Sequence, residues 1–321
     1  MRTPVSDSPS DPRIHVDMAH LRSFASKATD LSFMPRQPVR SVLNGRSASA
    51  LRGRGLDFEE LRGYLPGDDV RDIDWKVTAR TGRPHIRVFT EERDRPALIV
   101  VDQRMSMFFG SKLNMKAVTA AEAAALIAFR ILDQGDRVGG IVFTDHRLQE
   151  VRPQRSHAAV QSFLGKIAEA NLSLHANAEV ESPMGIREPL QVVAQIAKRD
   201  HLIFLISDFD EVDWRSERLI SSLSRRNDVI LCPVSDPMTR TPPADLKLVA
   251  SDGRMQAEID TSDRATLQAL ARMSQSHAEA LQGWSRKFGI PLMPLTAAED
   301  TVAQVRRLLG ANVRGVTGRM R

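Results

Sequence analysis

Two kinds of acid-rich segment in this 321-residue chain could do chemistry. The first lies at the ends of short apolar runs. ALIVVDQRMSMFFG places Asp102 after such a run, with Ser106 four residues on; HLIFLISDFDEVD places Ser207, Asp208 and Asp210 after another. Carboxylates and hydroxyls are hard oxygen donors of the kind Mg²⁺ accepts. The same side chains can instead cap a following helix or take up loop amides. The second is YLPGDDVRDIDWKVTAR, residues 64–80, where Asp68, Asp69, Asp72 and Asp74 fall close together around Arg71, with Trp75 directly after.

The second segment does not have the spacing of a calcium loop, which wants acids at alternate positions, then Gly, then Glu at the twelfth. Nothing beside it marks a substrate pocket. Its local chemistry predicts structure. Pro66-Gly67 suits the centre of a type II turn, Asp68 or Asp69 can accept amides, and Asp72 can cap a short helix IDWKVTAR. Arg71 and Arg80 are placed to pair with the acids. Trp75 offers a large apolar anchor, whose truncation to Ala would cost about 3–5 kcal/mol if buried. The mix of Tyr64, Asp68, Asp69, Arg71, Asp74, Trp75 and Arg80 would equally suit a partner-facing surface, and the two readings are compatible.

The elements that must position these groups alternate. Apolar strands are expected at 97–102, 137–143, 201–208, 228–234 and 290–295, and helices at 115–134, 157–170, 188–199, 216–226, 263–287 and 301–309. Apolar strands alternating with helices predict a mostly parallel sheet covered on both faces, an α/β doubly wound domain over residues 95–310. In such sheets ligands sit at the carboxyl ends of strands, near a topological switch point, which is where Asp102 and Asp208 fall. Residues 17–94 read as a helix (17–29) plus a small β-containing appendage carrying the acidic motif, with a strand at 83–92. Residues 1–16 read as disordered, and residues 311–321 as a basic tail.

Net charge is +5 and the pI is about 9.7, which admits a nucleic-acid reading, but no aromatic-basic motif supports it. The single cysteine, Cys232, excludes an internal disulfide and a multi-cysteine zinc site. The N-terminus lacks the apolar core of a secretory signal and no run is long enough to span a bilayer, so a cytoplasmic protein is expected. There is no Walker A loop, no GxGxxG and no GxSxG elbow.

VVDQRMSMFFGS, GDRVGGIVF and LIFLISDFD together resemble the von Willebrand factor A fold. With GRGLDFEELRGYLPGDDVRDIDWKVTAR they resemble the bacterial domain of unknown function 58 family over residues 40–240. That resemblance implies an adaptor or assembly-chaperone role beside a MoxR-type AAA+ ATPase and an unknown client, and it implies no known enzyme; no cofactor beyond a weak Mg²⁺ site is expected. It also implies a metal site read as Asp-x-Ser-x-Ser. Here Asp102, Ser106 and Asp208 match, Arg104 stands where the first serine should be, and no threonine occurs between 171 and 188, Ser182 being the nearest substitute.

A guanidinium about 5 Å from a divalent ion is repelled by about 2 kcal/mol in water and about 7 at an effective dielectric of 20. A degenerate, weak or empty Mg²⁺ site is therefore expected, with Arg104 pairing Asp102 or Asp208 in place of the cation. The loops after the two strands are expected to expose Arg104, Met105, Met107, Phe108, Phe109 and Phe209 as a partner-binding crest, the alternative being that the phenylalanines pack inward under the helix at 115–134. The competing reading is a metal-dependent hydrolase using Asp102 and Asp208.

Overall fold

A computed structural model of the chain describes residues 11–29, 56–65, 68–91, 96–175, 183–210, 212–240, 247–251, 256–261 and 263–314. It divides into two compact units, Pro35–Asp94 and Met1–Met34 with Arg95–Arg321.

In chain order the helices are α1 (Met18–Ala28), α2 (Trp75–Thr81), α3 (Lys116–Asp133), α4 (His157–Leu172), α5 (Arg187–Ile196), α6 (Trp214–Ser224), α7 (Pro237–Arg240), α8 (Arg264–Phe288) and α9 (Thr301–Arg314). The strands are β1 (Leu56–Gly63), β2 (His85–Glu91), β3 (Ala97–Asp102), β4 (Val138–Phe143), β5 (Leu148–Gln154), β6 (Leu202–Ser207), β7 (Asp228–Ser235), β8 (Lys247–Ser251), β9 (Gln256–Asp260) and β10 (Leu295–Thr296).

The larger unit is built on a six-stranded sheet in the order β10-β7-β6-β3-β4-β5. All neighbours are parallel except β4 and β5. The continuous apolar runs of β3 and β6 are buried because both faces of the sheet are covered. Ala97, Ile99 and Val101 pack with α3, α4, α1 and α9, while Leu98 and Val100 pack with α5, α6 and α8. The chain leaves β3 for β4 on one side and later returns to β6 on the other. The carboxyl ends of β3 and β6 thus form the switch point of a doubly wound sheet. Gly140 on β4 lies where an added Cβ would overlap the Phe163 ring of α4, so the GG pair is a close-packing device.

Four expectations need correction. α1 packs into the larger unit: Leu21, Phe24 and Ala28 join the same core as α3, and His20 Nε2 meets Glu122 Oε1 of α3 at 2.7 Å. Its apolar stripe needs a partner, and the Ala-rich helix supplies a smooth one. Residues 11–16 are ordered, with Val16 fully buried and its N–H donated to Asn171 Oδ1 at 2.8 Å; residues 1–10 lie outside the described residues. β5 was missed because its burial is shallow and it pairs as an antiparallel edge. Only Leu295–Thr296 of the last apolar segment forms a strand, Leu292 making one bridge to Leu231. Among the described residues no helix is long and apolar enough to cross a membrane.

The smaller unit is a β1–β2 hairpin with a bulge between Phe58 and Glu60. A 3₁₀ turn (Val70–Asp72) and α2 lie in the connection. Asp74 N donates to His85 O at 2.8 Å and Ile73 bridges Ile86, tying the connection to β2. Gly82 ends α2 in the left-handed region, φ 71°.

Candidate functional site

Each of the four central strands delivers a carboxylate to the same edge of the sheet: Asp102 from β3, Asp145 after β4, Asp208 after β6 and Asp236 after β7. All four are buried. Asp102 accepts Arg104 Nε at 3.0 Å, Arg104 Nη2 at 2.7 Å, the Arg104 backbone N–H at 3.0 Å and Ser207 Oγ–H at 2.6 Å. Asp208 accepts Lys116 Nζ at 2.9 Å, Arg104 Nη2 at 3.4 Å and the Asp210 N–H at 3.1 Å. Two carboxylates are thus balanced by two cations, with Arg104 bridging. The guanidinium also lies over the Phe143 ring, 5.5 Å from its centroid, and donates to Met184 O at 3.3 Å.

Local structure fixes this geometry. Phe209 is left-handed at φ 56° and fully buried. That conformation costs a bulky residue about 1–3 kcal/mol, held by Phe209 N–H donating to Ser207 Oγ. Lys116 occupies the first turn of α3, where a cation opposes the helix dipole; the Asp208 contact offsets that. Gln103 donates to Ala117 O and accepts Asn171 Nδ2, both at 2.9 Å, pinning the loop between Asp102 and Arg104. Asp145 accepts the Met105 N–H at 2.7 Å, and Asp236 accepts the Ser111 N–H at 2.9 Å.

Burial works against the ionised form of Asp208, but the pull of Lys116 and Arg104 exceeds it and holds the carboxyl at about 2. Burial pushes Asp102 upward, with the nearby Asp208 charge adding to the push. Arg104, buried yet flanked by carboxylates, is raised.

The donor set does not suit a hard divalent cation. The oxygens of Asp102 and Asp208 are taken up by Arg104, Lys116 and Ser207, and any ion there would face two positive side chains at contact range. Ser106 Oγ is buried without a hydrogen-bond partner and touches neither carboxylate; Ser182 lies outside the described residues. Among the described residues no group of three or more His, Cys, Asp or Glu could hold a metal ion. The void beneath the cluster, lined by Val100, Phe143, Ile186 and Ser207, is about 10 Å³, no more than one water needs.

Arg104 is 3% exposed and Met107 and Phe209 are fully buried. They are not partner-facing, because their places in the ion pair and the core are worth more than exposure. Met105 and Phe108 are half-buried against the core, Phe108 stacked on His15 at 5.6 Å. Phe109 is 37% exposed. Lys116, Asp145 and Asp236 were missed by sequence reasoning. The signal was present: a lone lysine opening an apolar helix, and an acid one or two residues after each apolar strand.

In the smaller unit the acids do structural work. Asp68 accepts Arg62 Nη1 and Nη2 at 2.8 and 2.9 Å and the Leu65 N–H at 2.8 Å. Asp69 caps the 3₁₀ turn through the Arg71 N–H at 2.9 Å. Asp74, not Asp72, caps α2, accepting Lys76 and Val77 N–H at 3.0 and 3.1 Å. Asp72, Arg71 and Arg80 are exposed and Tyr64 is half-buried. Trp75 is 68% exposed, so it is no anchor. Pro66 and Gly67 lie outside the described residues.

Fold and crest define a doubly wound α/β protein whose switch-point carboxylates are neutralised by its own Arg and Lys. The chain belongs to the family described as protein of unknown function DUF58, whose model matches residues 60–280. Uncharacterized proteins of Mycobacterium bovis and Mycobacterium tuberculosis are 28% identical over 297 residues, covering 91% of this chain and 90% of theirs. Among solved structures, the SpRpn10 VWA domain matches 66% of this chain and 94% of its own at TM-score 0.37 and 12% identity. A von Willebrand factor type A structure from Catenulispora acidiphila matches 70% and 44% at TM-score 0.36 and 13% identity.

Proposed function

We propose that this protein is a non-enzymatic adaptor of the assembly-chaperone type that acts with a MoxR-type AAA+ ATPase and a client protein. The observation that carries the reading is Trp75, 68% exposed on a helix whose cap residue is buried, with Leu65 and Val70 exposed nearby at 59% and 58%. Large apolar side chains held outward on a fixed framework suit a protein interface, where tryptophan is a frequent hot spot. Asp68, Asp69 and Asp74 are committed to turns and caps, so they shape a surface. At the crest, Arg104 and Lys116 stand in the place of a cation, making the metal site degenerate. A hydrolase using Asp102 and Asp208 would need an available carboxylate, and the ion pairs with Arg104 and Lys116 take both up.

The experiment is co-purification with a MoxR-type ATPase of the same organism in the presence of ATP. Wild type is expected to be captured, and Trp75→Ala, with an unchanged melting temperature, to lose at least tenfold in capture. Wild-type-level capture of Trp75→Ala would move the contact elsewhere; no capture of wild type would remove the ATPase from the proposal.

A further inference from the structure

A second surface lies on α6, which leaves the sheet at the edge where Asp208 sits. Trp214 is 61% exposed, and two guanidiniums lie over its ring, Arg215 at 5.3 Å and Arg218 at 5.8 Å from the centroid. Arg225 is exposed on the same face, two turns on from Arg218, with exposed Ser222 between them. Eleven residues make a helix about 16 Å long. The one acid on α6, Glu217, is satisfied by Lys287 Nζ at 2.7 Å. Asp213 at the helix start is occupied as its cap, accepting Ser216 N–H and Oγ–H at 2.7 and 2.8 Å. The outer face therefore carries one aromatic and three arginines, with Asp213 at the helix start, beside Arg215, as its nearest acid. Among the described residues neither Arg215 nor Arg218 has a salt-bridge partner.

We propose that this face of α6 docks an acidic segment of a partner protein. A guanidinium laid on an indole is pre-organised, with its N–H fork directed outward for bidentate carboxylate contacts. Single-stranded binders offer several aromatic faces on which successive bases stack, whereas α6 carries one aromatic, Trp214, with two arginines beside its ring. Charge complementarity then selects carboxylates spaced along a helix length, with the Trp edge as the apolar centre. α6 belongs to the larger unit and Trp75 to the smaller, so the two proposals rest on different residues and either can fail alone.

The test is fluorescence anisotropy with a labelled peptide carrying glutamates at every third and fourth position, and with an oligothymidine of equal charge as the second probe. Wild type is expected to bind the peptide, to weaken at least tenfold between 50 and 300 mM salt (an effect on the order expected of exposed charges), and to prefer it to the oligonucleotide. Arg215→Glu/Arg218→Glu should weaken binding at least tenfold with an unchanged melting temperature, since both sites are exposed; Trp214→Phe should retain most of it and Trp214→Ala should not. Peptide binding by the double variant within twofold of wild type overturns the proposal, as does no peptide binding by wild type. Tighter oligonucleotide binding lost in the same variant transfers the face to nucleic acid. A wild-type dimer in sedimentation that the variant abolishes transfers it to a second copy.

Discussion

The crest and the acidic motif contain the same ingredients and use them oppositely. At the crest, Asp102 and Asp208 are buried and matched by Arg104 and Lys116. In the motif, Asp68, Asp69 and Asp74 accept mostly backbone amides and one surface guanidinium, leaving Arg71, Asp72 and Trp75 in solvent. The difference lies in what surrounds the carboxylate. At the end of a two-sided sheet there is no water to neutralise it, so a cation must. In a connection wrapped on a hairpin, backbone amides and one surface guanidinium do that work, and the carboxylates serve as caps. Acid density in a sequence therefore does not distinguish an ionic core from a presenting surface.

The sharpest way to break this contrast is to remove one member of the buried cluster. Arg104→Ser leaves Asp102 buried without its guanidinium and should destabilise by about 3–5 kcal/mol, read by urea unfolding. Arg71→Ala in the motif should stay within about 0.5 kcal/mol. A small loss for Arg104→Ser would mean that water reaches the crest. In the wild type, calorimetric titration with Mg²⁺ should show no saturable binding; tight binding would show that Arg104 can be displaced.

The next effect is in acid. Asp208 is held at about 2 against an ordinary 3.8, so its charged form stabilises the fold. That contribution, roughly 2 kcal/mol, should be present above pH 4 and lost as pH falls from 4 to 2. Asp102 is shifted the other way, so its protonation acts above 3.8 and in the opposite sense. Stability measured from pH 5 to 2 should fall most steeply below 4, and Asp208→Asn should flatten that window. An unchanged slope in the variant would assign the acid loss to other carboxylates.

A smaller loss is expected in the motif. Asp74→Ala removes a cap that takes two amides and should cost about 1 kcal/mol, with Asp72→Ala near zero. Thermal melts of the pair decide which acid caps α2. A comparably small effect is expected of Trp75→Ala, within about 0.5 kcal/mol of wild type because its ring is exposed. A drop of several kcal/mol would mean that Trp75 is an anchor after all.

The sequence carried the α/β class, the boundaries of α3, β3, β4, β6 and β7 to within a residue or two, and the family, because apolar runs and helical spacing repeat over many residues and YLPGDDVRDIDWKVTAR is specific. It also placed Asp102 and Asp208 at strand ends, since an acid closing an apolar run can lie nowhere else. It could not say that Lys116 meets Asp208, 92 positions away, that α1 rests on α3, that β5 turns antiparallel, or that Trp75 points out while Arg104 points in. Those outcomes depend on which strands become neighbours and on what each side chain finds across the gap. Only the packed chain, with its strand order and its buried charges forced to find partners, decides them.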